Sequence, residues 1–208
     1  MMRRSTSNRR LFLKSFLALF PAGVISSKAS AAVRTPPTTA GPFYPTDKMR
    51  FADIDNDLVK ISGLDSEAEG EIITFGGRIL NEQGKPLANA RVEIWQCDAN
   101  GHYLHSGDPS KAKQDDGFQG FGHYVTGLDG AYNFRTIMPV PYPGRTPHIH
   151  MKVIHAGKEL VTQLYVAGHN QNSGDVLFKR LSEQQRNAVE MRFSDSAGAP
   201  HAEVNIVV

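Results

Sequence analysis

The chain of 208 residues predicts a mostly-β fold, a β-sandwich, on three observations. Its apolar runs are short and several alternate with period two. Glycine (19) and proline (12) punctuate them often. Only one stretch, near the C-terminus, reads as a clear helix. The length suits one domain with a sizeable core.

The elements follow in order. Residues 1–31 read as an export signal rather than as part of the fold. Asn8-Arg9-Arg10-Leu11-Phe12-Leu13-Lys14 resembles a twin-arginine motif, with Asn8 where such signals usually carry Ser or Thr. An apolar stretch from Ser15 to Ile25 follows, and Ala29-Ser30-Ala31 is an A-x-A cleavage site. That stretch is too short to span a bilayer, which needs ~20 residues. Cleavage is therefore expected, followed by a periplasmic or extracellular location without stable membrane association. The twin-arginine route carries folded proteins and hints at a cofactor loaded before export.

Six of the 23 basic residues and none of the 21 acidic ones lie in this segment, so the mature chain carries a net charge of −4. The basic character belongs to the signal, and nothing points to nucleic acid as a partner. The single cysteine, Cys97, excludes an internal disulfide and reads as a small apolar packing residue.

Residues 32–69 read as an N-terminal arm and loop, in which Gly41-Pro42-Phe43-Tyr44-Pro45 could lie across the domain. The β-domain is expected over 70–208. Glu71 to Leu80 reads as a strand with a glycine pair, a candidate bulge. Ala90 to Cys97 alternates, with Val92, Ile94 and Gln96 on one face and Glu93, Trp95 and Cys97 on the other. His102 to Phe121 is a long polar loop of the kind that often carries function. Gly122–Thr126 and Ala131–Ile137 flank Gly127-Leu128-Asp129-Gly130, a hairpin signal. His148–His155 and Glu159–Val166 pair around Ala156-Gly157-Lys158. Leu181–Arg192 reads as the helix, with a capping box from Ser182 to Gln185. Glu203–Val208 is a last strand.

The most informative segment is Pro141-Tyr142-Pro143-Gly144-Arg145-Thr146-Pro147-His148-Ile149-His150. On a strand, residues two apart share a face, so His148 and His150 can offer two nitrogens to one metal ion. Imidazoles alone would suit zinc, copper, iron or nickel. Tyr142 lies just upstream and Tyr103 in the long loop. Phenolate is a hard anionic donor and favours a trivalent ion such as Fe(III). Taken singly, either tyrosine reads as a half-buried aromatic with its hydroxyl hydrogen-bonded.

In company, the residues resemble a family. Val92-Glu93-Ile94-Trp95-Gln96, Gly101-x-Tyr103-x-His105, Phe118-x-Gly120-x-Gly122, Thr126-x-x-Asp129-Gly130-x-Tyr132-x-Phe134-Arg135-Thr136-Ile137, Pro141-Tyr142-Pro143, Arg145-x-x-His148-x-His150 and Thr162-Gln163-Leu164-Tyr165 are similar to the intradiol ring-cleavage dioxygenases, especially the protocatechuate branch. The resemblance implies a transthyretin-like β-sandwich with one or two short helices. It also implies non-haem Fe(III) held by Tyr103, Tyr142, His148 and His150, with hydroxide as a further ligand. Its partners would be a small aromatic diol and O2, with a cis,cis-muconate-type product. Tyr142 would leave the metal when the diol binds, Arg145 would stabilise developing negative charge, and Gln163 would orient ligands or O2. A homo-oligomer stays open.

One departure bears on the substrate. The protocatechuate enzymes carry a longer insert between the residues matching Tyr142 and Arg145, where this chain has only Pro143 and Gly144. A more open pocket is expected there. The strands and turns around Gly84-Lys85-Pro86 and Thr126–Phe134 also resemble the transthyretin-like modules of carboxypeptidase regulatory domains. That alternative is a non-enzymatic binding module, and it does not account for the two tyrosines or for Arg145, His148 and His150.

Overall fold

The computed structural model describes residues 32–46, 54–108, 114–196 and 198–208. The expected export signal, 1–31, lies outside them. Ten strands, β1 (Ile72–Leu80), β2 (Arg91–Trp95), β3 (Phe121–Val125), β4 (Ala131–Ile137), β5 (His148–His155), β6 (Lys158–Val166), β7 (Glu190–Met191), β8 (Ser194–Ser196), β9 (Ala199–Glu203) and β10 (Ile206–Val207), build two sheets. Two short helices, α1 (Val176–Lys179) and α2 (Glu183–Asn187), follow β6. The mostly-β sandwich read from the sequence is the fold observed.

In the first sheet β1 is the hub. It pairs with β4 along one edge, and with β9 and β10 in succession along the other. The second sheet runs β3-β2-β5-β6-β7. Period-two alternation supplies the core between them. Ile73, Phe75, Ile79, Tyr132 and Phe134 come from the first sheet, and Val92, Ile94, Ile149, Met151 and Val153 from the second. Burying these side chains contributes roughly 1.5–3 kcal/mol each. Trp95 and Cys97 belong to a separate buried cluster with Tyr103 and Phe121, so β2 splits its faces as its sequence predicts. Cys97 is buried, and burial pushes its thiol up to about 12.

Three expectations need correction or refinement. The turn at Gly127–Gly130 is not a hairpin. It closes with Gly130 N–H donating to Gly127 C=O at 3.0 Å, but β3 pairs with β2 and β4 pairs with β1. The turn therefore carries the chain from one sheet to the other. The helix expected over Leu181–Arg192 stops at Asn187. Its capping box is present at Ser182 and Gln185, but Val189 and Met191 are both fully buried, and Glu190–Met191 pairs parallel with Tyr165–Val166. Two buried residues at i, i+2 suit a strand against an open sheet edge better than a helix. The last strand, expected over Glu203–Val208, shortens to β10, and β9, which the sequence did not suggest, precedes it. They meet β1 on either side of Gly77, where the chain passes so close that a Cβ would collide with the Val204 carbonyl. The glycine pair thus serves a close backbone approach.

The arm lies across the domain. Thr35 N–H donates to Val207 C=O at 3.1 Å, and Thr38 N–H to Val161 C=O at 2.8 Å. Pro36 C=O accepts from the Thr162 hydroxyl at 2.9 Å.

Candidate metal centre

Alternation in β5 turns Ile149 and Met151 into the core and His148 and His150 to the opposite face of the second sheet. There the arm and the long loop cover them, leaving each histidine 2 % exposed or less. Register then chooses their neighbours. His150 stands between Trp95 on β2 and Gln163 on β6, while His148 faces Tyr165. Cross-strand pairs of this kind are in contact. The Trp95 indole lies nearly parallel to the His150 ring, with centroids 4.8 Å apart and planes 12° apart.

Tyr103 arrives from the loop. Its N–H donates to Asp108 Oδ2 at 2.6 Å, and its C=O accepts from Gln114 Nε2 at 2.6 Å. Phe43 of the arm stacks on its ring at 4.6 Å. Tyr142 comes from a tight turn in which Arg145 N–H donates to Tyr142 C=O at 2.9 Å. Pro143 and Gly144 fill the centre, and Gly144 has φ +81°, the positive φ that a type II turn requires. The turn brings Tyr142 and Arg145 side by side, and a Cβ on Gly144 would meet nothing within 4 Å.

The donor atoms converge. His148 Nε2 is 3.2 Å from His150 Nε2, which is 3.1 Å from Tyr103 Oη. Arg145 Nη1 stands 3.3 Å from Tyr142 Oη and 3.4 Å from His148 Nε2. Arg145 Nη2 donates to Gln163 Oε1 at 2.5 Å, and Gln163 Nε2 lies 3.4 Å from His150 Nδ1. Nδ1 of His148 is 2.7 Å from the Thr146 carbonyl. A carbonyl only accepts, so Nδ1 carries the proton and the Nε2 lone pair faces the site.

Protonation follows from burial. Desolvation, aided by the Arg145 charge, lowers His148 to about 4. Desolvation, His148 and Arg145 hold His150 well below the usual histidine range. Burial raises Tyr103 well above the usual phenol value, and Tyr142 is raised too, although Arg145 opposes. Without a cation the imidazoles are neutral and the phenols protonated. A bound cation inverts that logic for the phenols.

The residues fit a metal ion. Donors bonded at ~2.1 Å to one centre sit about 3 Å from each other, which matches the spacing of both Nε2 atoms and Tyr103 Oη. Among the described residues no group of three His, Cys, Asp or Glu could hold a metal. The donor atoms brought together here are two imidazole nitrogens and two phenol oxygens, a chemistry that suits a hard trivalent ion better than zinc.

Two clefts meet at the Pro141–Pro143 ridge. One, of about 600 Å³, is bounded by Tyr142–Thr146 and by the Asn170–Asp175 segment. The other, of about 550 Å³, is bounded by Phe43, the Asn100–Tyr103 stretch and Asp108. The first lies against Gly144.

The family model described as Dioxygenase matches residues 39–207. The chain belongs to the intradiol ring-cleavage dioxygenase family. This intradiol chain is 38% identical over 159 residues to the protocatechuate 3,4-dioxygenase beta chain of Burkholderia cepacia, covering 72% of this chain and 68% of that one. It is 32% identical over 153 residues to catechol 1,2-dioxygenase 1 of Acinetobacter lwoffii, covering 64% of this chain and 47% of that relative. It thus spans about two-thirds of the first relative's length and about half of the second's. Among solved structures, the dioxygenase domain of a dioxygenase–carbohydrate-binding fusion from Streptomyces sp. SirexAA-E is similar at TM-score 0.63 and 30% identity, covering 85% of this chain and 98% of that one. An intradiol ring-cleavage dioxygenase from Tetranychus urticae shares the fold at TM-score 0.65 and 21% identity, covering 85% and 94%.

All six residues singled out in the sequence, Tyr103, Tyr142, Arg145, His148, His150 and Gln163, meet in one cluster. Sequence reasoning missed Asp175, which holds Arg145 from behind at 2.8 Å. It also gave no site role to Trp95 or Phe43. Asp175 stands just before Val176-Leu177, where an N-cap reading was available. Its partner 30 residues upstream left no local trace. His105, two residues beyond Tyr103, meets the edge of the Phe43 ring at 5.8 Å.

Proposed function

We propose that this chain is a non-haem Fe(III) intradiol dioxygenase that opens a catechol-type diol with O2 to a cis,cis-muconate-type product. Tyr103, Tyr142, His148 and His150 would hold the metal. The observation that carries this reading is the convergence of two imidazole Nε2 atoms and two phenols, with an arginine beside them. Bound Fe(III) would supply the positive charge that ionises the diol and opens its ring to O2.

The protein's own groups have separable tasks. Tyr103, buried and pinned by its backbone, is the permanent phenol. Tyr142, half-buried between the two clefts, is the one that can swing away, and its Oη can take a diol proton. His148 keeps its Nε2 lone pair inward because Thr146 C=O fixes the Nδ1 proton. Arg145 presents fixed positive charge where negative charge develops on the ring, the kind of preorganised electrostatics that lowers barriers most. Gln163 joins Arg145 to His150 and keeps both oriented. Trp95 and Phe43 exclude water from the donors.

The relatives' names include protocatechuate, catechol and 6-chlorohydroxyquinol, so the diol's substituents are the variable to test. Iron-loaded protein is expected to be wine-red from phenolate-to-iron charge transfer. It is expected to consume O2 with at least one of catechol, protocatechuate, hydroxyquinol, chlorocatechols or lignin-derived catechols. A colourless protein that stays iron-free after reconstitution and takes up no O2 with any of them overturns the reading.

We also propose that residues 1–31 direct export through the twin-arginine route and are then removed, which places the enzyme outside the cytoplasm. The net charge of −4 for the remainder and the A-x-A site at Ala29–Ala31 support this. N-terminal sequencing of the protein recovered from the producing cells should begin at Ala32; retention of Met1 would refute cleavage.

A further inference from the structure

The Asp175 side chain is fully buried, and its partner Arg145 is 18% exposed. Both carboxylate oxygens are saturated. Oδ1 accepts from Leu177 N–H at 2.9 Å and Phe178 N–H at 3.0 Å, capping α1. Oδ2 accepts from Arg145 Nε at 2.8 Å and Thr146 N–H at 3.1 Å. One side chain therefore ties the guanidinium, the backbone that follows it and the start of a helix into a single unit.

Arginine carries about 2 kcal/mol of rotamer entropy. At the mouth of an open cleft, beside a two-residue Pro143-Gly144 link, the turn itself offers it only the Tyr142 hydroxyl, at 3.3 Å. The ion pair engages Nε and leaves both Nη groups facing the site. There Nη1 reaches Tyr142 Oη and His148 Nε2, and Nη2 reaches Gln163 Oε1. We propose that Asp175 is the positioning residue for Arg145, holding its Nη fork toward the bound diol. This rests on the dioxygenase reading. In this role the carboxylate works through Arg145, beside its bonds to Thr146 N–H and to the start of α1, and it makes no hydrogen bond to Tyr103, Tyr142, His148 or His150.

A double-mutant cycle separates positioning from simple capping. Serine is a good N-cap but too short to reach Arg145, so Asp175→Ser keeps the cap and frees the arginine. The full mature, iron-loaded chain is assayed as wild type, Asp175→Ser, Arg145→Gln and the double variant. Asp175→Ser is expected to lower kcat about 10- to 100-fold, as a misaimed charge does, with KM for the diol changed by less than about threefold. In the Arg145→Gln background the same change should alter kcat by less than about twofold. Equal losses in both backgrounds overturn the proposal, because a structural role is indifferent to Arg145. Asp175→Asn, which retains Oδ1 for the helix, enters the same cycle if the serine variant does not fold.

A readout without turnover keeps the proposal separate from the reading on which it rests. In metal-free protein, the Arg145 Nε–H resonance, assigned by its absence in Arg145→Gln, should be slowly exchanging in the wild type and fast-exchanging in Asp175→Ser. An unprotected resonance in the wild type refutes the anchoring. A protected one in a protein that opens no diol refutes the dioxygenase reading and leaves the anchoring standing.

Discussion

His148 Nε2 and His150 Nε2 face each other across 3.2 Å in a pocket closed to solvent. Without a metal, a neutral His150 carrying its proton on Nε2 can donate to the His148 lone pair; a cation bound by both nitrogens would take the place of that proton. Replacing either histidine by alanine leaves a single imidazole. Iron retained after dialysis should then fall from about one per chain to below about a tenth, a loss at least as large as the 10- to 100-fold typical of disturbing a ligand's support. Iron analysis together with the visible band checks this. Full iron occupancy in either variant would mean that the pair is not the core of the centre.

The same burial sets a pH dependence in metal-free protein. Unfolded histidine protonates near 6.5, whereas folded His148 resists protonation down to about 4. Between these values the unfolded chain binds the extra proton, so stability is fully present above pH 6.5 and is lost as pH falls toward 4. The slope is about 1.4 kcal/mol per pH unit for each such group. His150, held low for the same reason, adds to it. Urea unfolding at pH 7.5, 6 and 5 should show the decline, and His148→Gln should reduce its slope. A profile flat across that window would contradict the neutral, buried state of both rings.

How much of this was readable beforehand divides along a physical line. The faces of β2 and β5 followed from period-two alternation, because a strand buried on both sides still sorts its residues by pleat. That Tyr103, Tyr142, Arg145, His148 and His150 would meet was readable because they stand in shared motifs. The Gly127–Gly130 turn misled because a β-turn forms from its own four residues, whereas the choice of partner strand depends on which sheet can bury β4. The end of α2 was hidden because Val189 and Met191 respond to the open edge of β6, which no local window contains. Asp175 escaped for the same reason, since the bond that matters joins residues far apart in the chain.

Gly77 offers a test of that long-range packing away from the site. Its position between the β9 and β10 pairings leaves no room for a side chain against Val204 C=O. Gly77→Ala should force the C-terminal strands away from β1 and destabilise the protein by roughly 1–3 kcal/mol, the usual range for overpacking. Denaturant titration measures it. The folded fraction should keep the visible spectrum of the parent, since neither ligand strand is touched. A neutral substitution would show that β10 is not held against β1.

The β5–β6 hairpin predicts the opposite sign. Both central residues of its turn have positive φ, Ala156 at 49° and Gly157 at 76°, the type I′ arrangement in which Asn-Gly is favoured. Alanine there carries a steric penalty of about 1–2 kcal/mol. The side chain is exposed, so Ala156→Asn relieves strain without disturbing packing and should stabilise by roughly 0.5–1 kcal/mol. For a domain of this size that raises Tm by about 1–4 °C. The strand that this turn returns carries Gln163, yet the site lies at the far end of the hairpin, so kcat should not change. A lower Tm would show that the turn does not hold this conformation.

Phe43 gives the last test, because it joins the arm to the centre. Its ring stacks on Tyr103 at 4.6 Å and meets the edge of Tyr142 at 6.5 Å, so one side chain from the arm touches both phenols. Phe43→Ala opens a path for water to Tyr103 and removes the contact that holds its ring plane. Charge-transfer energy depends on how each phenolate is solvated and oriented. The visible band of iron-loaded protein should therefore shift and broaden, while iron stoichiometry stays near one. Loss of the buried aromatic surface should destabilise the fold by less than the roughly 3–5 kcal/mol of a fully buried phenylalanine, because Phe43 is only partly covered. Phe43→Leu, which keeps most of the apolar volume, should restore stability more than it restores the band. If both variants kept the parental spectrum, the arm would be a structural strap with no hold on the metal's phenols.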